Sequence, residues 1–153
     1  TVNGATDLEV GILKGVCAFR APITMKVEVT GDLQKGVYAK DIILKIIKEL
    51  TVNGATDHII EFRGPVVNNM DMSSRMTICN MSVEAGATSG ICLPDRVTAE
   101  YLWPFIQNDY DSVEAAAAQF KKWHSDPDAV YEKSITIDVT NLKPQVTYAL
   151  KHK

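Results

Sequence analysis

The sequence predicts an α/β fold, a single layered domain with helices packed on a mixed sheet. Three observations carry this. Residues 23–31 and 133–141 alternate polar and apolar side chains, the signature of strands with one wet face. Residues 39–50, 74–86 and 111–124 carry apolar residues at helical spacing. Strands and helices then alternate through most of the chain, as in domains that lay helices on a sheet. The polar face of each alternating strand points to a mixed rather than a wholly parallel sheet.

Each element follows from its residues. In "ITMKVEVTG", Met25, Val27 and Val29 alternate with Lys26, Glu28 and Thr30, and Gly31-Asp32 and Gly36 mark the turn after it. "AKDIILKIIKEL" puts Ile42, Ile43, Ile46, Ile47 and Leu50 on one broad face. "HIIEFRG" is a short apolar strand ending at Gly64-Pro65. Ser73 or Ser74 can cap the helix over 74–86, with Met76, Cys79 and Val83 as its core stripe and Gly86 as its stop. "ATSGICLP" follows as a strand, then a short helix over 97–103 broken at Pro104. The helix over 111–124 starts with a capping-box-like Asp111 and Glu114, and buries Val113, Ala116, Ala117, Phe120 and Trp123. Residues 133–141 turn Ile135, Ile137 and Val139 inward, and "QVTYAL" is a last candidate strand.

A chain of 153 residues that is 46% hydrophobic has enough apolar surface for one domain with a real core. A net charge of −3 gives no electrostatic footprint for nucleic acid or an anionic membrane surface. No apolar run reaches membrane-spanning length and no signal peptide opens the sequence, which favours the cytoplasm. The three cysteines, Cys17, Cys79 and Cys92, form no disulfide framework and fit a reducing compartment. Cys79 and Cys92 lie in apolar runs and are expected to be buried, inert thiols rather than ligands or nucleophiles.

The sequence holds no glycine-rich dinucleotide fingerprint, Walker loop, serine elbow or H-E-x-x-H zinc motif. His58, His124 and His152 are far apart; His58 opens a strand, and the helix dipole accounts for His124. "TVNGATD" stands at 1–7 and again at 51–57, too few copies for a solenoid. Asn80 and Glu84 are the unusual pair. Four apart on one side of the 74–86 helix, they flank its apolar stripe. One reading is a polar boundary with Glu84 exposed at the helix end. The other is an amide and a carboxylate aimed together at a hydroxyl or a metal-bound water.

The segment "MTICNMSVEAGATSG" resembles the motif T-[IL]-C-N-M-x-x-E-x-G-A of the aconitase superfamily. The flanks agree in order: "KGVYAKDIILKII", "NGATDHIIEFRGP", "LPDRVTAEYL", "SDPDAVYEKSITID" and "PQVTY". The pattern is nearest to the isopropylmalate dehydratase and homoaconitase branch and covers roughly Ala5 to Tyr148. The resemblance implies a hydro-lyase acting on a hydroxy di- or tricarboxylate, with a [4Fe–4S] cluster as Lewis acid. It implies that Asn80 lies near the cluster and that Glu84 bonds the water or hydroxyl on the open iron, both as catalytic residues. The family's Asp-Ser-His motif and its cluster cysteines have no counterpart here, and Cys17, Cys79 and Cys92 lack the ligand spacing.

The resemblance thus implies an internal piece of a larger large subunit, inactive alone and binding no cluster by itself. The remainder of that subunit and a small subunit would supply cluster ligands and substrate-binding residues. An apolar former interface would leave the piece prone to self-association. The alternatives are a non-catalytic binding or scaffold module that reuses the fold, and an unrelated enzyme working through a cysteine of its own.

Overall fold

The computed structural model describes residues 5–16 and 21–147. Four strands form one sheet: β1 (Ile23–Thr30), β2 (His58–Arg63), β3 (Ser89–Cys92) and β4 (Lys133–Asp138), in the spatial order β3-β2-β1-β4. All three pairings are parallel, so the α/β class holds but the sheet is not mixed. The polarity of Lys26 and Glu28 misled the reading of strand direction. That face is not left open: Glu61 pairs with Arg63 there, and Lys26 lies over the Tyr131 ring.

The opposite face holds the core. Met25, Val27, Val29, Ile60 and Phe62 are at most 1% exposed and point toward helix α2 (Ala39–Leu50). The apolar stripe read from the sequence is the stripe observed: Ile42, Ile43, Ile46 and Leu50 are buried and Ile47 packs at its margin. Full burial of one such side chain is worth about 1.5–3 kcal/mol, so this layer supplies the main drive for folding. Gly64 ends β2 at φ 103°. A Cβ there would lie 2.3 Å from the Val29 carbonyl oxygen, so only glycine lets β2 turn this close to β1. Pro65 then opens a short helix α3 (Pro65–Asn68) that the sequence reading did not anticipate.

Helix α4 (Met72–Asn80) is capped by Asp71, whose Oδ1 accepts from the Ser74 amide at 2.7 Å, and not by Ser73 or Ser74. It ends at Asn80 and tightens into a 3-10 turn over Met81–Ala85 before Gly86 at φ 85°. The expected stripe of Met76, Cys79 and Val83 is wrong: Met76 is 45% exposed, and Cys79 and Val83 are only partly covered. The buried line is Arg75, Ile78, Ser82 and Ala85. Apolarity chose the wrong face because two of those positions are polar and satisfied. Arg75 binds Asp95 and two carbonyls, and Ser82 donates to the Cys79 carbonyl at 2.7 Å.

Helix α5 (Arg96–Ile106) runs through Pro104 instead of breaking at it. Pro104 lies in the last turn, where a missing amide removes one bond and the Gln107 amide still reaches the Trp103 carbonyl. Helix α6 (Val113–Phe120) is capped by Ser112, not by Asp111 with Glu114, and a 3-10 turn over Lys121–Trp123 follows. Its stripe packs on α5 through Ala99, Ala116 and Phe120, but Trp123 is 57% exposed. Helix α1 (Ala5–Lys14), absent from the sequence reading, precedes β1. Residues 145–147 form no strand, and the rest of that candidate, 148–150, lies outside the described residues, as do Cys17 and His152. The repeated heptapeptide does not fold alike: Ala5–Asp7 begin α1, whereas 55–57 belong to the turn into β2. No helix among the described residues is long and apolar enough to cross a membrane.

Candidate functional site

Asn80 and Glu84 sit at the junction of α4 and its 3-10 turn, at the amino-terminal edge of the sheet. Helix α4 runs back from the end of β2 to the start of β3, which places its last turn there. The Ala55 amide donates to the Ala85 carbonyl at 3.0 Å, and the Thr88 amide donates to the His58 carbonyl at 2.8 Å. The 51–57 turn is therefore held against the segment carrying both residues. This turn is unusually constrained: Thr51 and Asp57 adopt φ 68° and 63°, a region that non-glycine residues seldom occupy. The Thr56 hydroxyl fixes its interior by donating to the Asn53 carbonyl at 2.9 Å.

Both Asn80 and Glu84 are exposed, and neither side chain has a hydrogen-bond partner among the described residues. Their separation of four residues does not stack them on one helical face, because the helix tightens between them to three residues per turn. What the fold gives them is a shared edge and open valences. Nearby, His58 receives or donates at Nδ1 to the Thr56 carbonyl at 2.7 Å, while its Nε2 is buried without a partner. His124, at the end of its helix, meets the Pro94 carbonyl at 2.6 Å, a role beyond the helix dipole.

The donor set among the described residues does not fit an iron–sulfur cluster. Such clusters are held chiefly by cysteine thiolates. Cys79 and Cys92 alone approach one another, with sulfurs 3.6 Å apart, and no third His, Cys, Asp or Glu joins them in a metal-holding group among the described residues. The full burial expected of these thiols is not found, since both are partly exposed. Cys79 is held below the ordinary thiol range, chiefly by the hydrogen bond from Cys92. The same bond, with burial, pushes Cys92 up. The sequence signal that could have found the pair is Gly90, two residues before Cys92, where a helix can approach a bare backbone.

The carboxyl-terminal edge of the sheet, where open α/β sheets usually bind ligands, carries a groove of about 480 Å³ lined by Asp32, Tyr38, Pro65, Asn69 and Asp71 among others. The motif residues are on the opposite edge.

A sequence profile of the Aconitase family (aconitate hydratase) matches residues 2–152. The chain belongs to the aconitase family. It is 64% identical over 148 residues to the 3-isopropylmalate dehydratase large subunit of Geobacter metallireducens, covering 97% of this chain and 35% of that protein. The large subunit of Geobacter sulfurreducens is 60% identical over the same shares. Large subunit 1 of Methanopyrus kandleri is 42% identical over 143 residues, 94% of this chain and 32% of that protein. The chain thus spans about a third of the length of these relatives.

Proposed function

We propose that this aconitase-family chain is one α/β domain of a 3-isopropylmalate dehydratase-type hydro-lyase, contributing the Glu84 carboxylate and the Asn80 amide to a site completed by other parts of the protein. The observation that carries the reading is the state of those side chains. Both belong to the family-like segment 76–90, both are exposed, and neither is used by the described fold. A carboxylate without an internal partner is free to accept a proton from, or return one to, a substrate hydroxyl or water. The Asn80 amide can both donate and accept, and so can orient a bound hydroxyl or carboxylate.

The cluster, on this reading, is held by cysteines outside the chain. The remainder of a large subunit and a small subunit would supply those ligands and the substrate-binding groups. The substrate class is a hydroxy di- or tricarboxylate, isopropylmalate before others, because the relatives just described are named for it. A cytoplasmic setting agrees with two free thiols lying in contact.

The test is Glu84→Gln in the complete large subunit with its small subunit. Turnover of isopropylmalate should fall by roughly 10²-fold or more, the scale of a lost acid–base group. Thermal stability should not move. Unchanged turnover would mean that Glu84 takes no part in the acid–base step.

A further inference from the structure

We propose that Cys79 and Cys92 form an oxidation site, at which a peroxide converts the two thiols into an intramolecular disulfide tying α4 to β3. The inference rests on sulfur geometry and is independent of the reading of Asn80 and Glu84.

Gly90 and Cys92 are two apart on β3, so they face the same side of the sheet, the side on which α4 packs. A Cβ on Gly90 would lie 2.9 Å from the Cys79 Cα. The bare backbone at Gly90 is therefore what lets the last turn of α4 settle onto β3. That approach carries the Cys79 sulfur to 3.6 Å from the Cys92 sulfur. A disulfide bond is about 2.05 Å long, so the sulfurs need to close by about 1.5 Å. Side-chain rotation and a small shift of the helix end provide this without breaking the sheet. Both residues are partly exposed, so a small oxidant reaches them.

The chemistry balances with hydrogen peroxide as the named oxidant. One thiolate attacks the peroxide O–O bond, giving a sulfenic acid and hydroxide. The second thiol then attacks the sulfenic sulfur and expels water. Two thiols and one peroxide become one disulfide and two waters. The bond would close the loop from 79 to 92, which contains Asn80, the 3-10 turn and Glu84. Oxidation would clamp both ends of the segment that carries those side chains.

The experiment treats the reduced 153-residue chain with hydrogen peroxide and maps its cysteines by mass spectrometry without reduction. The expected product is a monomer that has lost two hydrogens, cross-linked between Cys79 and Cys92 and restored by dithiothreitol. Its melting temperature should rise on the order of 5–10 °C, as for closure of a short loop. Cys92→Ser should abolish the cross-link, and Gly90→Ala should slow it roughly tenfold by holding α4 off the strand. The proposal is overturned if both thiols stay free at peroxide levels that oxidise free cysteine. It is equally overturned if Cys79 and Cys92 accumulate separate sulfinic acids, or if the cross-links run to Cys17.

Discussion

Arg75 is a guanidinium only 3% exposed, and its partners decide whether it stabilises or costs. Nη1 and Nη2 form a fork on the two Asp95 carboxylate oxygens at 2.8 and 2.7 Å, while Nε and Nη2 reach the Met70 and Asn68 carbonyls. Asp95 also caps α5 by accepting from the Thr98 amide. Removing the carboxylate strands a buried charge, so Asp95→Ala should cost about 3 kcal/mol, the low end for a broken buried pair because Asp95 is 37% exposed. Arg75→Met removes the charge itself and should cost less, about 1–2 kcal/mol for the hydrogen bonds lost. Urea melts of both variants give the order, and the reverse order would mean that Arg75 acts through packing. Burial opposes ionisation of Asp95, but the Arg75 fork and the backbone amides outweigh it and hold the carboxyl below its usual range. An unfolded aspartate takes its proton near pH 3.9, before the folded one does, so this contribution is complete above about pH 4 and is lost as pH falls through the lower folded value. Melting temperature against pH should therefore drop less steeply below about pH 4 in Asp95→Asn than in the parent. Glu84, with no partner in the described fold, predicts the opposite kind of result: Glu84→Gln in this chain should shift stability by about 0.5 kcal/mol or less.

At the scale of elements, α4 gives the sharpest test of which face is buried. Ile78 is 0% exposed, so Ile78→Ala should cost about 2–5 kcal/mol. Met76 is 45% exposed and Met76→Ala should stay within about 0.5–1 kcal/mol. Equal losses in denaturant melts would reinstate the stripe that hydrophobicity alone suggested. The difference shows what was legible. β1 and α2 could be read from the sequence because their buried positions, Asp41 apart, are apolar, so period and burial coincide. The face of α4 could not, because Arg75 is buried through Asp95, a partner distant in sequence, and Ser82 through the Cys79 carbonyl, and hydrophobicity marks neither. The parallel direction of every strand pairing was hidden for a similar reason: it depends on what lies across the fold rather than along the chain. Asn80 and Glu84 were legible as residues through the family motif, whereas the meeting of Cys79 with Cys92 required the packing of α4 on Gly90.

Across the whole molecule, the polar face of the sheet joins its two halves. Glu61, in the middle of β2, is only 8% exposed. It accepts from Arg63 Nε, from the Ser125 hydroxyl at 2.5 Å and from the Tyr131 hydroxyl at 3.0 Å. Lys26 and Arg63 place their charges 5.8 and 5.7 Å from the centre of the Tyr131 ring. Ser125 and Tyr131 belong to the strap that leads from α6 to β4, and the Glu132 amide continues it by donating to the Thr24 carbonyl. One carboxylate thus pins the return of the chain from the α5–α6 pair, which has its own small core, to the edge of the main sheet. Replacing Glu61 by leucine leaves its donors without their acceptor, a loss of about 3 kcal/mol in a partly buried site that holds a guanidinium. Tyr131→Phe keeps the ring beneath both cations and removes one hydrogen bond, about 1 kcal/mol. The distribution of the effect matters more than its size. The apolar layer of β1, β2 and α2 lies on the far face of the sheet and makes none of these bonds. Hydrogen exchange should therefore quicken across 124–132 in Tyr131→Phe, while the amides of Val27, Ile43 and Ile60 keep their protection. Acceleration of core and strap together would show that the Glu61 network opens only with global unfolding, and that the strap is no separate unit.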